Sequence, residues 1–352
     1  MDKTKRKKLS PQTRSDLITY AIVIVAFAVL QPMKMGGLLS SSLSGLLVPI
    51  CAYVVMAISL NLTVGVLGEL SLGHAGFMCV GAYLGCYIAK LLHPVIASPL
   101  AVLIITMLIG GAVAAVFGFI IGLPALRLKG DYLAIVTLAF GEIIRVVLLN
   151  QKSWTGGPNG IQFSTVFTTS LDWGATIAFA SVIGTLVLLI VALQNFLRST
   201  YGRAIMSVRE DEIAANSNGI SVFRYKMIGF VIASFIGGIG GALYAPLIGF
   251  VKPDLASFNN SVNHLIYVVL GGMGSVTGSI ISAFVLTVLQ EFLRFLRDYR
   301  LLIYPLILIC MMLFRPQGLL GTNELCFFKI PDYFKSIGRW FSKKFDKKSE
   351  KN

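Results

Sequence analysis

Long apolar runs, each near the length of a membrane-spanning helix, alternate with short polar segments along the chain. A hydrocarbon core about 30 Å thick takes roughly 20 apolar residues in helical form. By that measure ten runs stand out, at approximately 17–34, 43–64, 72–92, 98–122, 131–149, 175–197, 225–249, 261–273, 275–293 and 299–314. The eighth and ninth are the weakest, because GGMGSVTG at 271–278 divides one hydrophobic stretch into two short pieces, and one of these could be re-entrant. The pattern predicts an all-α polytopic membrane protein with about ten transmembrane helices. Around the 150–174 loop they divide five and five, and an odd-numbered half sets the second half upside down, as in inverted-repeat transporters. Both halves carry a glycine-rich segment, VGVLGELSLGHAGF at 64–77 and FIGGIGGALYAP at 235–246.

Composition agrees with this class. With 56% hydrophobic residues, 13% charged residues and a mean hydropathy of +0.80, the 352 residues have too little polar surface for a soluble globule. The net charge of +14 would suit nucleic acid only if it were gathered on one face. Instead most Lys and Arg lie in the two tails and in two internal loops, so nucleic acid is not an expected partner, and the charge sets orientation. With ten spans and a cytoplasmic N-terminus, the outside receives only Lys34, Lys90, Lys152, Lys252, Arg294, Arg297 and Arg300, which favours both termini inside. The stretch RFLRDYR at 294–300 is the exception to this bias. The expected organisation is a basic cytoplasmic tail at 1–16, a transmembrane domain at 17–320 with a cytoplasmic loop at 198–224, and a second basic tail at 321–352. MDKTKRKK followed by Ala26-Phe27-Ala28 imitates a cleavable signal but is read as an uncleaved first span with its anchor. Trp340, Phe341 and Phe345 could rest a short amphipathic helix on the inner surface.

The chemistry present argues against catalysis. There is no HExxH, no GxSxG, and only three histidines, His74, His93 and His264. Cys51, Cys79, Cys86, Cys310 and Cys326 show no metal or disulfide spacing. No GxxxxGK[ST] occurs, so a nucleotide triphosphate that drives this chain must sit on another subunit.

The polar segment GRAIMSVREDEIAANSNGI at 202–220 interrupts two apolar runs. Ser207 and Glu210 read as a capping box that starts a helix of two to three turns, ended by Asn218 and a left-handed Gly219. Ile205, Ile213, Ala214 and Ala215, flanked by Arg203, Arg209 and Glu212, would give that helix a small apolar docking surface. A solvated connector fits the same residues equally well.

Charges at membrane depth need a partner or a wet cavity. Glu142 and Arg145 can pair on one face of the fifth span, either as a structural ion pair or beside a translocation path. Glu69, Ser71, Gly73 and His74 lie in GELSLGHAG, where glycines permit a break between helical pieces, and are candidates for a path or its gate. Thr155 to Gly160 form a turn of the outer loop, and the small residues of FIGGIGGALYA and GGAVAAVFG suit close helix packing.

Four separated stretches resemble a known family. NLTVGVLGELSLGHAGFMCVGAYLG (61–85), LPALRLKGDYLAIVTLAFGEIIR (123–145), WTGGPNGI (154–161) and VVLGGMGSVTGSIISAFVL (268–286) are similar to the branched-chain amino acid permeases of the LivM type, from about residue 45 to 320. The polar segment resembles the EAA-type coupling loop of ABC importer permeases, with Ala214, Ala215 and Gly219 at matching spacing and Glu212 one residue further from the Ala pair than in the consensus. The resemblance implies a multi-pass subunit of a bacterial plasma membrane importer for leucine, isoleucine and valine. It also implies a sister permease, two ATPase subunits that hold ATP and Mg, and an extracytoplasmic binding protein, with no cofactor on this chain. Arg203, Arg209, Glu212, Ala214, Ala215 and Gly219 would be the ATPase-docking residues. Relatives in the superfamily carry urea, short amides, sugars or nucleosides. Two other classes remain open, an ion-coupled secondary carrier using Glu142 and Arg145, and a membrane scaffold that recruits partners through the polar segment.

Overall fold

A computed structural model describes residues 11–36, 41–96, 98–128, 130–163, 172–314 and 318. Helix α1 (Pro11–Met35) is followed by α2 (Ser41–Asn61), α3 (His74–Leu92), α4 (Pro99–Ala125) and α5 (Asp131–Asn150) in order. A short α6 (Lys152–Thr155), α7 (Asp172–Arg198), α8 (Thr200–Glu210), α9 (Glu212–Ser217) and α10 (Val222–Ile248) come next. The last helices among the described residues are α11 (Phe258–Gly271), α12 (Val276–Phe292) and α13 (Arg300–Phe314). The only strands among the described residues, β1 (Ile161–Gln162) and β2 (Phe250–Val251), pair antiparallel, Ile161 opposite Val251.

Seven helices among the described residues are long and apolar enough to cross a membrane, counting α2 with its extension to Leu67 as one. The other three predicted runs also form helices. That of α1 has a shorter apolar stretch, Thr19–Met33, while α11 and α13 have 14 and 15 residues. At 1.5 Å per residue, α11 reaches only about 21 Å, short of a full hydrocarbon core. Its limit is the sequence GGMG: the helix stops at Gly271, and α12 starts at Val276 with Ser275 as N-cap, its hydroxyl accepting from the Gly278 amide at 3.1 Å. The two basic tails lie largely outside the described residues, as do Trp340, Phe341, Phe345 and Cys326.

The centre of the bundle is α10, packed along α4, α3 and α2, with 72% of its most apolar window buried against 33% for peripheral α5. Small residues make this possible. A Cβ on Gly81 of α3 would fall on the carbonyl of Gly238, and one on Gly241 would fall on that of Met78. On the other side, a Cβ on Gly110 of α4 would lie 2.8 Å from Ala242 Cβ. In lipid, where burial of apolar area drives little helix association, backbone-to-backbone approach and dispersion supply the cohesion. The glycine-rich stretches therefore act in packing.

The two ends of the bundle differ. At one, α8 and α9 cover the start of α10, and the Arg127 guanidinium after α4 lies 5.8 Å over the Phe223 ring. At the other, the turn around residues 154–160 is clamped: Tyr83 donates to the Thr155 carbonyl at 3.4 Å, Tyr87 donates to that of Trp154, and β1 joins the loop to the strand after α10.

Replacing Gly81 by Val should force α3 from α10 and cost at least about 2 kcal/mol. Gly184→Ala on α7, where an added methyl meets nothing within 4 Å, should leave stability unchanged or slightly raised. Thermal unfolding in detergent checks both, and an unshifted midpoint for Gly81→Val would contradict the packing account.

Candidate functional site

The polar segment folds as an elbow of two helices. Ser199 opens α8, its hydroxyl accepting from the Gly202 amide at 3.3 Å. Ser207 lies inside α8 and donates to the Ala204 carbonyl at 2.8 Å, so it starts nothing. The expected Ser207–Glu210 box is thus replaced by a cap four residues later. Asp211 is extended, with φ −156° and ψ 109°, and its Oδ1 accepts from the amides of Ile213 and Ala214 at 2.8 and 3.0 Å. One carboxylate oxygen satisfies two orphan donors of α9 and breaks the helix that Ser207 was expected to begin. The expected C-cap is present: Gly219 has φ +80°, and the Ile220 amide returns to the Ala215 carbonyl at 3.0 Å.

The elbow has two faces. Ile205, Val208 and Ala215 are buried against the bundle. Arg203, Ala214 and Gly219 are exposed, and Ile213 is 81% exposed, an unusual position for a large apolar side chain in a polar segment. Arg209, also exposed along its stem, and half-buried Glu212 turn their charged tips towards the bundle. The six residues expected to form one docking surface are therefore divided between an outward group and an inward group.

Arg209 Nη1 donates to the Gly65 carbonyl, which belongs to a π-helical segment, Leu62–Leu67, that continues α2. Such segments leave backbone groups imperfectly paired, and an arginine is well suited to take a free carbonyl. The same place touches the break between α11 and α12: Asn61 Oδ1 accepts from the Gly274 amide at 2.8 Å, and a Cβ on Gly65 would fall on that amide nitrogen. Gly68, at φ +77°, ends the π-helical segment, and the Glu69 amide returns to the Thr63 carbonyl at 3.0 Å.

Glu69 and Glu212 meet at one lysine. Lys226, one turn into α10 and 6% exposed, donates to a Glu69 carboxylate oxygen and to Glu212 Oε1, the latter at 2.5 Å. The Glu69 side chain is 11% exposed and that of Glu212 38%. A lysine so buried keeps its charge only because two carboxylates replace its hydration. Counted with the basic residues of the loop, Lys226 is unremarkable in the sequence. The signal that identifies it is the unanswered charge of Glu69, which needs a cation at membrane depth.

The rest of the GELSLGHAG segment is held tightly. The Leu72 amide donates to Thr137 Oγ1 at 3.1 Å, and a Cβ on Gly73 would fall on the Thr137 carbonyl, so the strand-like turn lies directly on α5. The Ser71 hydroxyl is buried and without a partner. His74 opens α3 with Nε2 2.7 Å from Ser59 Oγ. Ser59 Oγ also donates to the Ala233 carbonyl, and His74 Nδ1 is buried without a partner.

Glu142 and Arg145 lie at the other end and take no part in this cluster. They pair at 2.7 Å, Glu142 Oε1 accepts from the Phe258 amide at 3.2 Å, and Arg145 comes within 4.0 Å of Asp254. The pair fastens α5 to the start of α11.

Residues 42–312 match the family described as "Branched-chain amino acid transport system / permease component". The chain is 40% identical to the high-affinity branched-chain amino acid transport system permease protein LivM of Salmonella typhimurium, and 37% to that of Escherichia coli. In both cases 77% of this chain and 68% of the relative are covered. It is 25% identical to LivH of Salmonella typhimurium over 78% of this chain and 92% of the relative. No solved structure matches the chain. With its apolar spans and this match over most of its length, the chain is a multi-pass membrane protein that belongs to the branched-chain amino acid transport system permease family.

Proposed function

We propose that this chain is the membrane subunit of an ATP-driven importer for leucine, isoleucine and valine, and that the α8–α9 elbow carries the motion of an ATPase subunit into the bundle. The observation that carries the reading is the two-sidedness of the elbow: Ile213 and Ala214 are free to meet a partner, while Arg209 and Glu212 grip the interior. A solvated connector would gain nothing from an exposed Ile213 or from two charged tips bonded to the bundle.

In this reading the chain crosses the membrane ten times with both termini in the cytoplasm and forms two inverted halves. The elbow, Arg127, the π-helical segment and Gly274 share the cytoplasmic end, and the β1–β2 pair faces outside. Arg294, one of the misplaced outer charges, is answered by Glu291 at 3.1 Å. The sister permease is a related chain, consistent with the similarity to both LivM and LivH sequences. The pore lies between the two, two ATPase subunits hold ATP and Mg below, and a binding protein delivers the amino acid above. The carrier alternative is less supported, because Glu142 and Arg145 are already committed to each other and to the start of α11.

Closure of the ATPases pushes the outward face of the elbow. Arg209 then moves the π-helical end of α2 and, through Asn61, the α11–α12 break, while Lys226 moves α10 and the segment before α3. Glu69 and its neighbours form the inner gate in this scheme, and His74 and Ser71 offer polar atoms behind it.

Labelled leucine uptake in cells should fall on ATP depletion, survive collapse of the proton gradient, and be blocked by unlabelled isoleucine and valine but not by urea or ribose. Uptake that follows the proton gradient would overturn the importer reading. Ile213→Glu should weaken ATPase association at least about tenfold, as loss of a central apolar anchor does, without altering insertion. Gly219→Val has room for its side chain but not for its backbone conformation, and should raise ATP hydrolysed per leucine carried. Lys226→Met, which strands Glu69, should destabilise the chain by about 3–5 kcal/mol. Combining it with Glu69→Gln and Glu212→Gln should restore most of the stability but not uptake, and full transport by that triple variant would exclude the anchor.

A further inference from the structure

Away from the elbow, the face shared by α2, α10 and α11 gathers four rings from three helices. The Tyr53 ring stacks against Tyr244 at 6.2 Å and 27°, and lies 5.6 Å from His264 and 6.4 Å from Tyr267. His264 and Tyr267 are buried behind, 5.9 Å apart, while Tyr53 and Tyr244 are half-buried at the surface. Tyr244 lies one turn before the end of α10 and His264 two turns into α11, which places the cluster towards the β1–β2 end.

Two features separate this face from an ordinary lipid-facing one. The buried Nδ1 of His264 has no partner, a costly state that lipid cannot relieve. A polar seam also runs inward from it: Ser261, one turn away on α11, accepts from the Ala75 amide at 3.3 Å, beside His74, whose own Nδ1 is unpartnered and whose Nε2 meets Ser59. The seam connects the half-buried tyrosines to the segment that starts α3.

Resting on the importer reading above, we infer that Tyr53 and Tyr244, with His264 packed behind them, form a contact site for the transported amino acid in the outer half of the path, its ammonium group lying against the tyrosine rings. A cation against an aromatic face is attracted by the ring quadrupole, most strongly where water is scarce. The half-buried Leu247, one turn from Tyr244 on α10, supplies an apolar neighbour for an aliphatic side chain. The site is an open wall on this chain, and the sister permease closes it.

The test uses the complete transporter in vesicles, with the chain's own cysteines replaced. Tyr53→Cys and Tyr244→Cys should react with a water-soluble methanethiosulfonate ammonium reagent, and leucine-loaded binding protein with ATP should slow the reaction at least fivefold. With the binding protein saturated, Tyr244→Phe should carry leucine at nearly the parent rate, and Tyr244→Leu, of unchanged melting temperature, roughly five- to thirty-fold more slowly. Labelling that leucine leaves unchanged, with Tyr244→Leu transporting normally, would overturn the site while leaving the importer intact. No labelling at either cysteine would place this face against lipid and overturn both the site and the position assigned to the path.

Discussion

The ammonium of Lys226, held between Glu69 and Glu212, is the interaction on which the arrangement depends. It joins three pieces of chain that are distant in sequence: the elbow, the central helix α10 and the segment that leads from α2 into α3. Lys226 and Glu69 are largely out of water, so neither tolerates the loss of the other. The elbow is consequently part of the bundle and not an appendage to it. Glu212 remains 38% exposed, which leaves its contact the more easily broken of the two.

What the anchor holds has little slack. Because α10 lies against α3 and α4 with glycine on the contact lines, backbone meets backbone, and such an interface shifts as a unit or not at all. Regular α-helix fails at the π-helical segment Leu62–Leu67, the turn from Gly68 to Gly73, and the Gly272–Ser275 break. Arg209 and Asn61 connect two of these, and Glu69 lies in the third. The elbow thus bonds to the points where regular helix is interrupted in an otherwise closely packed bundle.

Much of this was legible in the sequence because membrane burial writes a strong signal. Apolar runs located the helices, the GGMG interruption located the gap between α11 and α12, and Gly219 was legible as a left-handed cap because few other residues accept that conformation. Local polar competition was harder. Ser207 and Asp211 both offer caps within five residues, and Asp211 prevails because its carboxylate takes two amides, a difference that the SxxE pattern does not express. Lys226 and the division of Arg209 and Glu212 from Ile213 and Ala214 are tertiary facts, set by how α8 and α9 lie on the bundle. The tyrosine and histidine cluster is similarly silent in sequence, since Tyr53, Tyr244 and His264 lie on three separate helices.

The most direct measurement is the spin-label distance between Asn216, exposed on α9, and Met273, exposed in the α11–α12 break, in the reconstituted transporter with and without ATP. If the elbow and the break move as one linked unit, the wild-type distribution stays narrow and unchanged on ATP binding, and it broadens or shifts in the Glu69→Gln/Lys226→Met/Glu212→Gln variant. A wild-type distance that changes on ATP binding as much as the variant's would contradict the account.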